Sequence, residues 1–200
     1  MKKISEEILF EGNWLVLKQG TYLGNNGEKI KWETIERRHQ PTGLVIIPRL
    51  IPSNRYVLIR QYRPPISNYI IGFPAGLFEG DDIREEALRE LKEETGYTGK
   101  ITGISPILKT CTGVMDQSSR IINVDIDETD PQNLNPEQSL EPSEEIEVIV
   151  KREDEIREFL GQEQEKGYAI GAGLWYLFGI NKSVTNIIRG AIKDEEGYLY

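Results

Sequence analysis

The sequence predicts an α+β protein in which a small antiparallel β-unit precedes a larger domain of strands and helices. Short β-rich runs fill most of residues 4–150, and one amphipathic helix interrupts them near residue 85. Helical periodicity predicts two further helices, at Glu153–Gln164 and Ala169–Asn181. Segregation of strands and helices along a chain favours an α+β arrangement. We expect an N-terminal β-domain at 1–40, a main domain at 41–182 and a tail at 183–200.

Composition and charge argue against several classes of protein. The 200 residues carry a formal net charge of −9, which disfavours binding to a nucleic-acid backbone. A single cysteine, Cys111, excludes an intramolecular disulfide framework, and no apolar run approaches the roughly 18 residues that a membrane span needs. The N-terminal stretch MKKISEEILF has no apolar core of a signal peptide. We therefore expect a cytoplasmic protein that binds neither membrane nor nucleic acid.

The N-terminal unit reads as a β-hairpin. Trp14–Leu23 and Lys29–Arg38 are rich in β-branched, aromatic and aliphatic residues, and Asn25-Asn26-Gly27 between them is a strong turn signal. Its tryptophans, Trp14 and Trp32, have two interpretations. They are either core or sheet-face aromatics, or a stacking surface for a flat base.

Further strands are predicted on both sides of the central helix. They cover Gly43–Pro48, Tyr56–Tyr62, Ile101–Lys109, Arg120–Ile126 and Glu144–Val150. The proline-rich segment 127–143 reads as a surface loop of the length that functional lids have. After the second strand, Arg60 and Arg63 provide either surface charge or paired guanidinium groups for a diphosphate, with Arg63 the stronger candidate.

The central helix carries a row of carboxylates. Glu86, Glu90 and Glu94 recur at steps of four and so share one helix face, with Glu93 beside them. We call these four side chains the carboxylate ridge. Such a row is often only a solvated surface, but a ridge that follows a tight glycine-containing loop is also a plausible cage for hard divalent cations.

The ends and the apolar face of this helix can also be predicted. Asp82, with Glu85 three residues later, resembles a capping box, and Gly96 is placed to end the helix. Ile83, Ala87 and Leu91 form an apolar stripe opposite the ridge, so the helix should pack on the domain core.

At this helix the sequence resembles the Nudix box. Gly76, Asp81 and the run REUxEExGU at Arg89–Tyr97 carry the resemblance. Two positions depart from the family pattern. The segment after Gly76 is one residue shorter than usual, with Asp81 where the family has Glu, and Gly72 stands where relatives often have Glu.

Beyond the box, the motifs EGNWLVL, KWETIERR, QYRPP, GFPAGL and EEIEVIV resemble the ADP-sugar (ADP-ribose) pyrophosphatase branch of the Nudix hydrolases, over about residues 4–183. The resemblance implies a Nudix α/β/α sandwich whose catalytic domain is the 41–182 part. It also implies a homodimer with swapped N-terminal domains. The implied reaction is Mg²⁺-dependent hydrolysis of the diphosphate bond of ADP-ribose or a related nucleoside diphosphate sugar, with Mn²⁺ as a possible substitute.

The resemblance also implies a site residue by residue. The metal ligands are the carbonyl of Ala75 and the side chains of Glu90 and Glu94, with Glu93 in support, while Arg89 orients carboxylates. The catalytic base maps to Glu144, with Glu145 as its close competitor. Substrate contacts map to Trp14, Trp32, Glu33, Arg37 and Arg63.

Two other functions remain open at this point. The chain resembles a Nudix hydrolase closely enough that a UDP-sugar or an oxidised nucleoside diphosphate is an alternative substrate. Asp81, Gly72 and the shortened loop also permit a catalytically silent nucleotide-sugar sensor. A Ser-His-Asp mechanism is disfavoured because His39 is the only histidine.

Overall fold

The structure is a computed structural model that describes residues 1–39, 42–78 and 80–179. The predicted tail at 183–200 and the end of the helix predicted at 169–181 lie outside these residues. The division of the chain at residue 40 stays a prediction.

The N-terminal unit is an antiparallel sheet of three strands within residues 1–39, in the order β1-β2-β3. Its strands are β1 (Lys2–Glu11), β2 (Leu15–Leu23) and β3 (Lys29–Arg37). The predicted β2–β3 hairpin is present, and Gly27 adopts the positive φ of 81° that its turn needs. The pairing of β1 with β2 shifts register twice, between Lys3 and Ser5 and between Ile8 and Phe10. These shifts bend β1 at two points.

The larger sheet is mixed and contains nine strands among the described residues. Its longest path runs β12-β6-β5-β4-β10-β8, with β11 paired to β5, β7 to β4 and β9 to β10. The strands are β4 (Thr42–Ile51), β5 (Arg55–Arg63), β6 (Asn68–Gly72), β7 (Ala75–Phe78), β8 (Lys100–Ile104), β9 (Leu108–Lys109), β10 (Ser118–Asp127), β11 (Ile146–Arg152) and β12 (Ala169–Ile170). Most neighbours are antiparallel, but β4–β10 and β6–β12 are parallel.

Helices pack against both faces of the larger sheet. They are α1 (Ile83–Thr95), α2 (Glu153–Glu165) and the short α3 (Ala172–Leu174), which continues as a π-helical turn at Trp175–Gly179. Ala87 and Leu91 of α1 are fully buried against β4 and β10 residues such as Ile46 and Ile122. On the opposite face, Ile156 and Leu160 of α2 join a second core with Leu58, Ile71 and Leu174.

This layering confirms the predicted α+β class and its α/β/α sandwich with an N-terminal antiparallel β-unit. Two predicted elements differ. Ile101–Lys109 is two strands, β8 and β9, because Pro106 lies in the stretch between them and has no N–H to continue a ladder. The helix predicted from Ala169 begins only at Ala172, because Ala169 and Ile170 pair with Ile70 and Ile71 of β6.

Candidate active site

The ends of α1 fix the position of the carboxylate ridge. The carboxylate of Asp82 accepts a hydrogen bond from the backbone N–H of Arg84 at 2.7 Å, which caps the first turn. At the other end Gly96 has φ 78° and its N–H donates to the carbonyl of Lys92 at 2.8 Å. The predicted start and end of this helix are therefore confirmed, with Asp82 at the cap and Gly96 at the end.

Glu94 is the most deeply buried carboxylate of the ridge. It is 1% exposed, and its Oε2 accepts a hydrogen bond at 2.9 Å from the backbone N–H of Ala75, where β7 begins. The pKa of Glu94 is raised to about 8, mainly by burial and further by the charges of Glu90 and Glu144, while the hydrogen bond from the Ala75 N–H opposes the rise. A group in this position keeps its charge more readily beside a cation.

Glu90 packs directly over Gly76 in β7, the strand that precedes α1. A Cβ added to Gly76 would lie 2.4 Å from the Cδ of Glu90, so only glycine allows this contact. The pKa of Glu90 is raised, first by burial and then by Glu86, Glu93 and Glu144, while Arg89 lowers it. The absence of a side chain at Gly76 therefore leaves room for the Glu90 carboxylate.

Arg89 binds the exposed side of the ridge. Its guanidinium donates to Glu86 and Glu93, one turn away on either side, and to the Oε1 of Glu90 at 2.7 Å. These carboxylates raise the pKa of Arg89, so it stays charged. This geometry agrees with an orienting role for Arg89, because its donors are directed at the carboxylates.

Glu144 lies at the end of the long loop, close to the ridge. Its carboxylate raises the pKa of both Glu90 and Glu94. It is held locally, since its Oε2 accepts from the N–H of Glu141 at 3.0 Å and its own N–H donates to the carbonyl of Glu141 at 2.9 Å. Glu144 therefore acts electrostatically on Glu90 and Glu94 although it comes from a distant part of the sequence.

Glu145 is directed elsewhere. Its carboxylate accepts a hydrogen bond from the hydroxyl of Tyr69 on β6, and its carbonyl accepts from the N–H of Tyr62 at 3.2 Å. The hydrogen bond to Glu145 is the main reason that the pKa of Tyr69 is raised, and loss of solvent around the hydroxyl adds to it. The side chain lines a groove of about 310 Å³ with Arg60 and Tyr168.

The two arginines at the end of β5 have different surroundings. Arg60 pairs with Glu147 and with Glu163, each at 2.5 Å, and its guanidinium carbon lies 4.6 Å from the ring centre of Tyr168. Arg63 is exposed at the strand end, and its charge lowers the pKa of Glu94. Arg60 is thus held by two carboxylates, whereas Arg63 is exposed to solvent.

Apart from Arg63, the residues expected to contact substrate lie in the N-terminal unit. Trp14 is 81% exposed, in the loop between β1 and β2, while Trp32 on β3 is 44% exposed and its indole N–H donates to the carbonyl of Gly113 at 3.0 Å. Glu33 is exposed beside it. Arg37 is half-buried beside a cavity of about 60 Å³ that Met115 and other residues of the 109–118 segment also line. Neither tryptophan is in the core.

The donor set of the ridge suits a hard divalent cation, which prefers oxygen ligands. Glu94 is buried and Glu90 is partly buried, and their mutual repulsion contributes to the raised pKa of Glu94. Within residues 1–39, 42–78 and 80–179, no group of three or more Asp, Glu, His or Cys side chains is arranged to hold a metal ion. The oxygens of Glu90 and Glu93 are turned towards Arg89 instead.

Two residues near this site have no sequence signal. Tyr69 lies within a strand that its pattern did not distinguish, and Gln138 is one polar side chain in a polar loop. The hydroxyl of Tyr69 binds Glu145, which follows Glu144 in the chain. The side chain of Gln138 donates to the carbonyls of Glu94 and Ile146. Only the folded arrangement reveals these contacts.

Comparison with known proteins identifies the family. The NUDIX domain matches residues 40–169. The chain is 32% identical over 186 residues to the ADP-sugar pyrophosphatase of Mus musculus, which covers 85% of each chain. It is also 32% identical to the ADP-ribose pyrophosphatase of Saccharomyces cerevisiae, over 93% of this chain and 80% of that one.

A solved structure shares the fold. The crystal structure of an ADP compounds hydrolase superposes with a TM-score of 0.60 at 20% identity, covering 84% of this chain and 96% of the other. No helix among the described residues is long and apolar enough to span a membrane. Since the NUDIX match includes the carboxylate ridge, Gly76 and Glu144, the chain belongs to the Nudix hydrolase family.

Proposed function

We propose that this protein hydrolyses the diphosphate bond of ADP-ribose or a related ADP-sugar, in a reaction that depends on Mg²⁺. The observation that carries the proposal is the placement of two carboxylates beside β7: Glu94 binds the N–H of Ala75, Glu90 packs on Gly76, and the charge of Glu144 acts on both. The relatives named ADP-sugar and ADP-ribose pyrophosphatase support the choice of substrate. The products are AMP and a sugar phosphate, ribose 5-phosphate in the case of ADP-ribose.

The metal ligands in this proposal are Glu90, Glu94 and the carbonyl of Ala75, with Glu93 in support. Divalent cations bound there supply positive charge to the diphosphate and acidify water. Arg89 keeps Glu90 and Glu93 oriented, and Gly76 leaves the space that the Glu90 carboxylate occupies. Mn²⁺ is the alternative cation.

The general base in this proposal is Glu144. Arg63 binds phosphate oxygens and offsets the negative field of the ridge, while Glu144 takes a proton from the water that attacks phosphorus. The new P–O bond forms to the water oxygen, and the bond between that phosphorus and the bridging oxygen breaks. Glu145 is a weaker candidate because its carboxylate binds the Tyr69 hydroxyl.

Substitutions separate the two glutamates and the metal ligands. A positioned base contributes about 10² to 10⁴ in rate, so Glu144→Gln should lower kcat by that factor while Mn²⁺ binding, measured by electron paramagnetic resonance, persists. Glu90→Gln and Glu94→Gln should lose both. Glu145→Gln should keep most of the activity. The opposite result, an inactive Glu145→Gln and an active Glu144→Gln, would assign the base to Glu145.

Product analysis tests the function itself. ADP-ribose, ADP-glucose and UDP-glucose are each incubated with the protein, with and without Mg²⁺, and the products are separated by chromatography. We expect AMP from the ADP-sugars only with Mg²⁺. Preferential cleavage of UDP-glucose would overturn the adenine assignment. Binding of ADP-ribose without AMP release would favour a catalytically silent sensor.

We further propose a homodimer with swapped N-terminal sheets, in which the adenine lies between Trp14 of one subunit and Trp32 of the other, with Glu33 and Arg37 nearby. Along the sheet, Trp32 pairs with Gly20, whereas Trp14 precedes Leu15 at the far end. Five residues of strand span roughly 17 Å, which is too far for the two rings of one chain to stack on one base. This separation supports a site shared between subunits.

Mixed dimers test this arrangement. Stacking contributes on the order of 1 to 3 kcal/mol per base, so Trp14→Ala or Trp32→Ala alone should raise KM about 5- to 150-fold. When the two variants are mixed and exchange subunits, one site per heterodimer regains both tryptophans, and activity at low substrate should recover. No recovery, after exchange is verified by mass spectrometry, would mean that both rings come from one subunit or that they do not stack on substrate.

A further inference from the structure

The loop that carries Glu144 is fastened to the C-terminal end of α1. We call residues 136–144 of this loop the strap. Three contacts hold the strap against α1. The N–H of Ser139 donates to the carbonyl of Glu93 at 2.9 Å. A Cβ added to Gly96 would lie 2.5 Å from the backbone nitrogen of Glu137, so the strap passes directly over that glycine. The third contact is made by Gln138.

Gln138 joins two elements with one amide group. Its Nε2 donates to the carbonyl of Glu94 at 2.6 Å and to the carbonyl of Ile146 at 3.2 Å. Both partners are acceptors, so the amide nitrogen, with its two N–H groups, must face them. The first carbonyl belongs to the last turn of α1, where carbonyls have no partner within the helix. The second belongs to the first residue of β11.

These two carbonyls belong to the two segments that carry the proposed site residues. Glu94 is on the helix that holds the ridge, and Ile146 follows Glu144 by two residues. The Glu144 side chain is fixed to Glu141 within the strap, so any movement of the strap relative to α1 moves Glu144 relative to Glu90 and Glu94. Gln138 is the side chain that spans this junction.

We propose that Gln138 is a positioning residue that holds Glu144 at the carboxylate ridge by tying the end of α1 to the start of β11. The role rests on the proposed function, because its effect on rate requires Glu144 to be the base. Gln138 does not touch substrate in this proposal, so its loss lowers kcat and leaves KM nearly unchanged.

Gln138→Glu is the sharpest test. It keeps the shape of the side chain but replaces the donor nitrogen with an oxygen that faces two carbonyls. Gln132→Glu is the matched control, since Gln132 is exposed in the same loop and gains the same charge. Small misplacement of a catalytic group is costly, so we expect kcat for ADP-ribose to fall about tenfold in Gln138→Glu, with KM within about twofold, and both to stay near wild type in Gln132→Glu.

A double-mutant cycle distinguishes positioning from general destabilisation. Gln138→Ala should lower kcat in the wild-type background and have no further effect in Glu144→Gln, because there is then no base to position. An equal factor in both backgrounds would overturn the proposal. Wild-type kcat in Gln138→Ala and Gln138→Glu would overturn it as well.

Amide hydrogen exchange tests the tie without any catalysis. The N–H of Ser139 should exchange faster in Gln138→Glu than in the wild type or in Gln132→Glu, and equal protection in all three would overturn the tie itself. If the wild-type protein released no AMP from any substrate, the proposed function would fail, and the effect on rate with it. If the wild type is active but its kcat does not change when Gln138 is substituted, this inference fails while the proposed function stands.

Discussion

The two sheets of this protein cover their apolar side chains very differently. In the larger sheet and its helices, Leu91 and Ile122 are fully buried between layers. On β1, by contrast, Ile8 is 58% and Phe10 65% exposed, although both lie in a strand that pairs with β2. The difference does not come from the residues themselves, since both regions contain leucine, isoleucine and aromatic side chains.

What differs is the layer above each sheet. Helices α1 and α2 pack on opposite faces of the larger sheet, whereas β1 is exposed along its whole length. Contiguous exposed apolar surface of this kind marks an interaction site more often than a free surface. The larger domain therefore carries its own core, and the N-terminal sheet is the part that a second subunit would complete.

The largest effect is expected in the core of the larger domain. Leu91→Ala removes a fully buried side chain that packs between α1 and the sheet, and such truncations cost about 4 kcal/mol in the free energy of unfolding. The matched truncation on the N-terminal sheet, Ile8→Ala, should cost within about 0.5 kcal/mol in the monomer. Urea denaturation of both variants measures the contrast, and equal losses would contradict it.

Two glycines with similar backbone angles sharpen the comparison. Gly96 has φ 78° and Gly27 has φ 81°, but a Cβ at Gly96 would meet the strap at 2.5 Å while nothing lies within 4 Å at Gly27. Gly27→Ala should cost about 1 kcal/mol from backbone strain alone. Gly96→Ala should cost about 3 kcal/mol, because strain and displacement of the strap add. Similar losses by urea denaturation would mean that the strap yields easily.

A buried ion pair and a partly exposed one should also contribute differently to the free energy of unfolding. Glu163 is buried and binds Arg60 and Lys166, so Glu163→Gln should cost about 2 kcal/mol at pH 7. The partly exposed pair of Lys18 and Glu36 on the N-terminal sheet should be worth about 0.5 kcal/mol when Glu36 is changed to Gln. Urea denaturation at pH 7 compares the two variants.

The Glu163 effect should also depend on pH. Burial would raise the pKa of Glu163, but the hydrogen bonds from Lys166 and Arg60 outweigh it and hold the pKa below its ordinary value of 4.5. Its contribution to stability is thus complete above the pKa of the unfolded state and is lost as the pH falls through the lower folded value. The difference in the free energy of unfolding between the wild type and Glu163→Gln should become smaller at acid pH. A gap that widened below pH 4.5 would contradict this sign.

The smallest effect on stability, and a clear one on assembly, is expected from Phe10→Ser. The ring is largely exposed, so the unfolding free energy of the monomer should change by less than about 0.5 kcal/mol. If the N-terminal sheet forms the dimer, the same change should raise the dimer dissociation constant measured by analytical ultracentrifugation. An unchanged dissociation constant would place the interface elsewhere.

Local signals were sufficient for some elements of the fold. The cap at Asp82 and the glycine at Gly96 set the bounds of α1 because each signal acts on the adjacent turn. The Asn25-Asn26-Gly27 turn likewise predicts its hairpin. Ala169 and Ile170 show the limit of such reasoning, since their apolar pattern fits a helix, and only the neighbouring strand β6 draws them into the sheet.

The site shows the same limit. The spacing of Glu90 and Glu94 places them on one helix face from sequence alone. The separate directions of Glu144 and Glu145 depend on Tyr69, which is 76 residues from Glu145, and the contact of Gln138 spans 44 residues to Glu94. Pairings over such distances follow from the parallel and antiparallel order of the sheet, which no local pattern encodes.

The two register shifts in β1 bear on how the chain avoids polymerising. A long apolar edge strand with free backbone groups can template the addition of strand after strand, as in filaments. In β1 the shifts interrupt the regular ladder, and charges stand at Lys2, Lys3, Glu6, Glu7 and Glu11. Both features oppose open-ended growth while leaving the apolar face of the strand available. In the proposed homodimer, they would limit assembly to a closed pair of subunits.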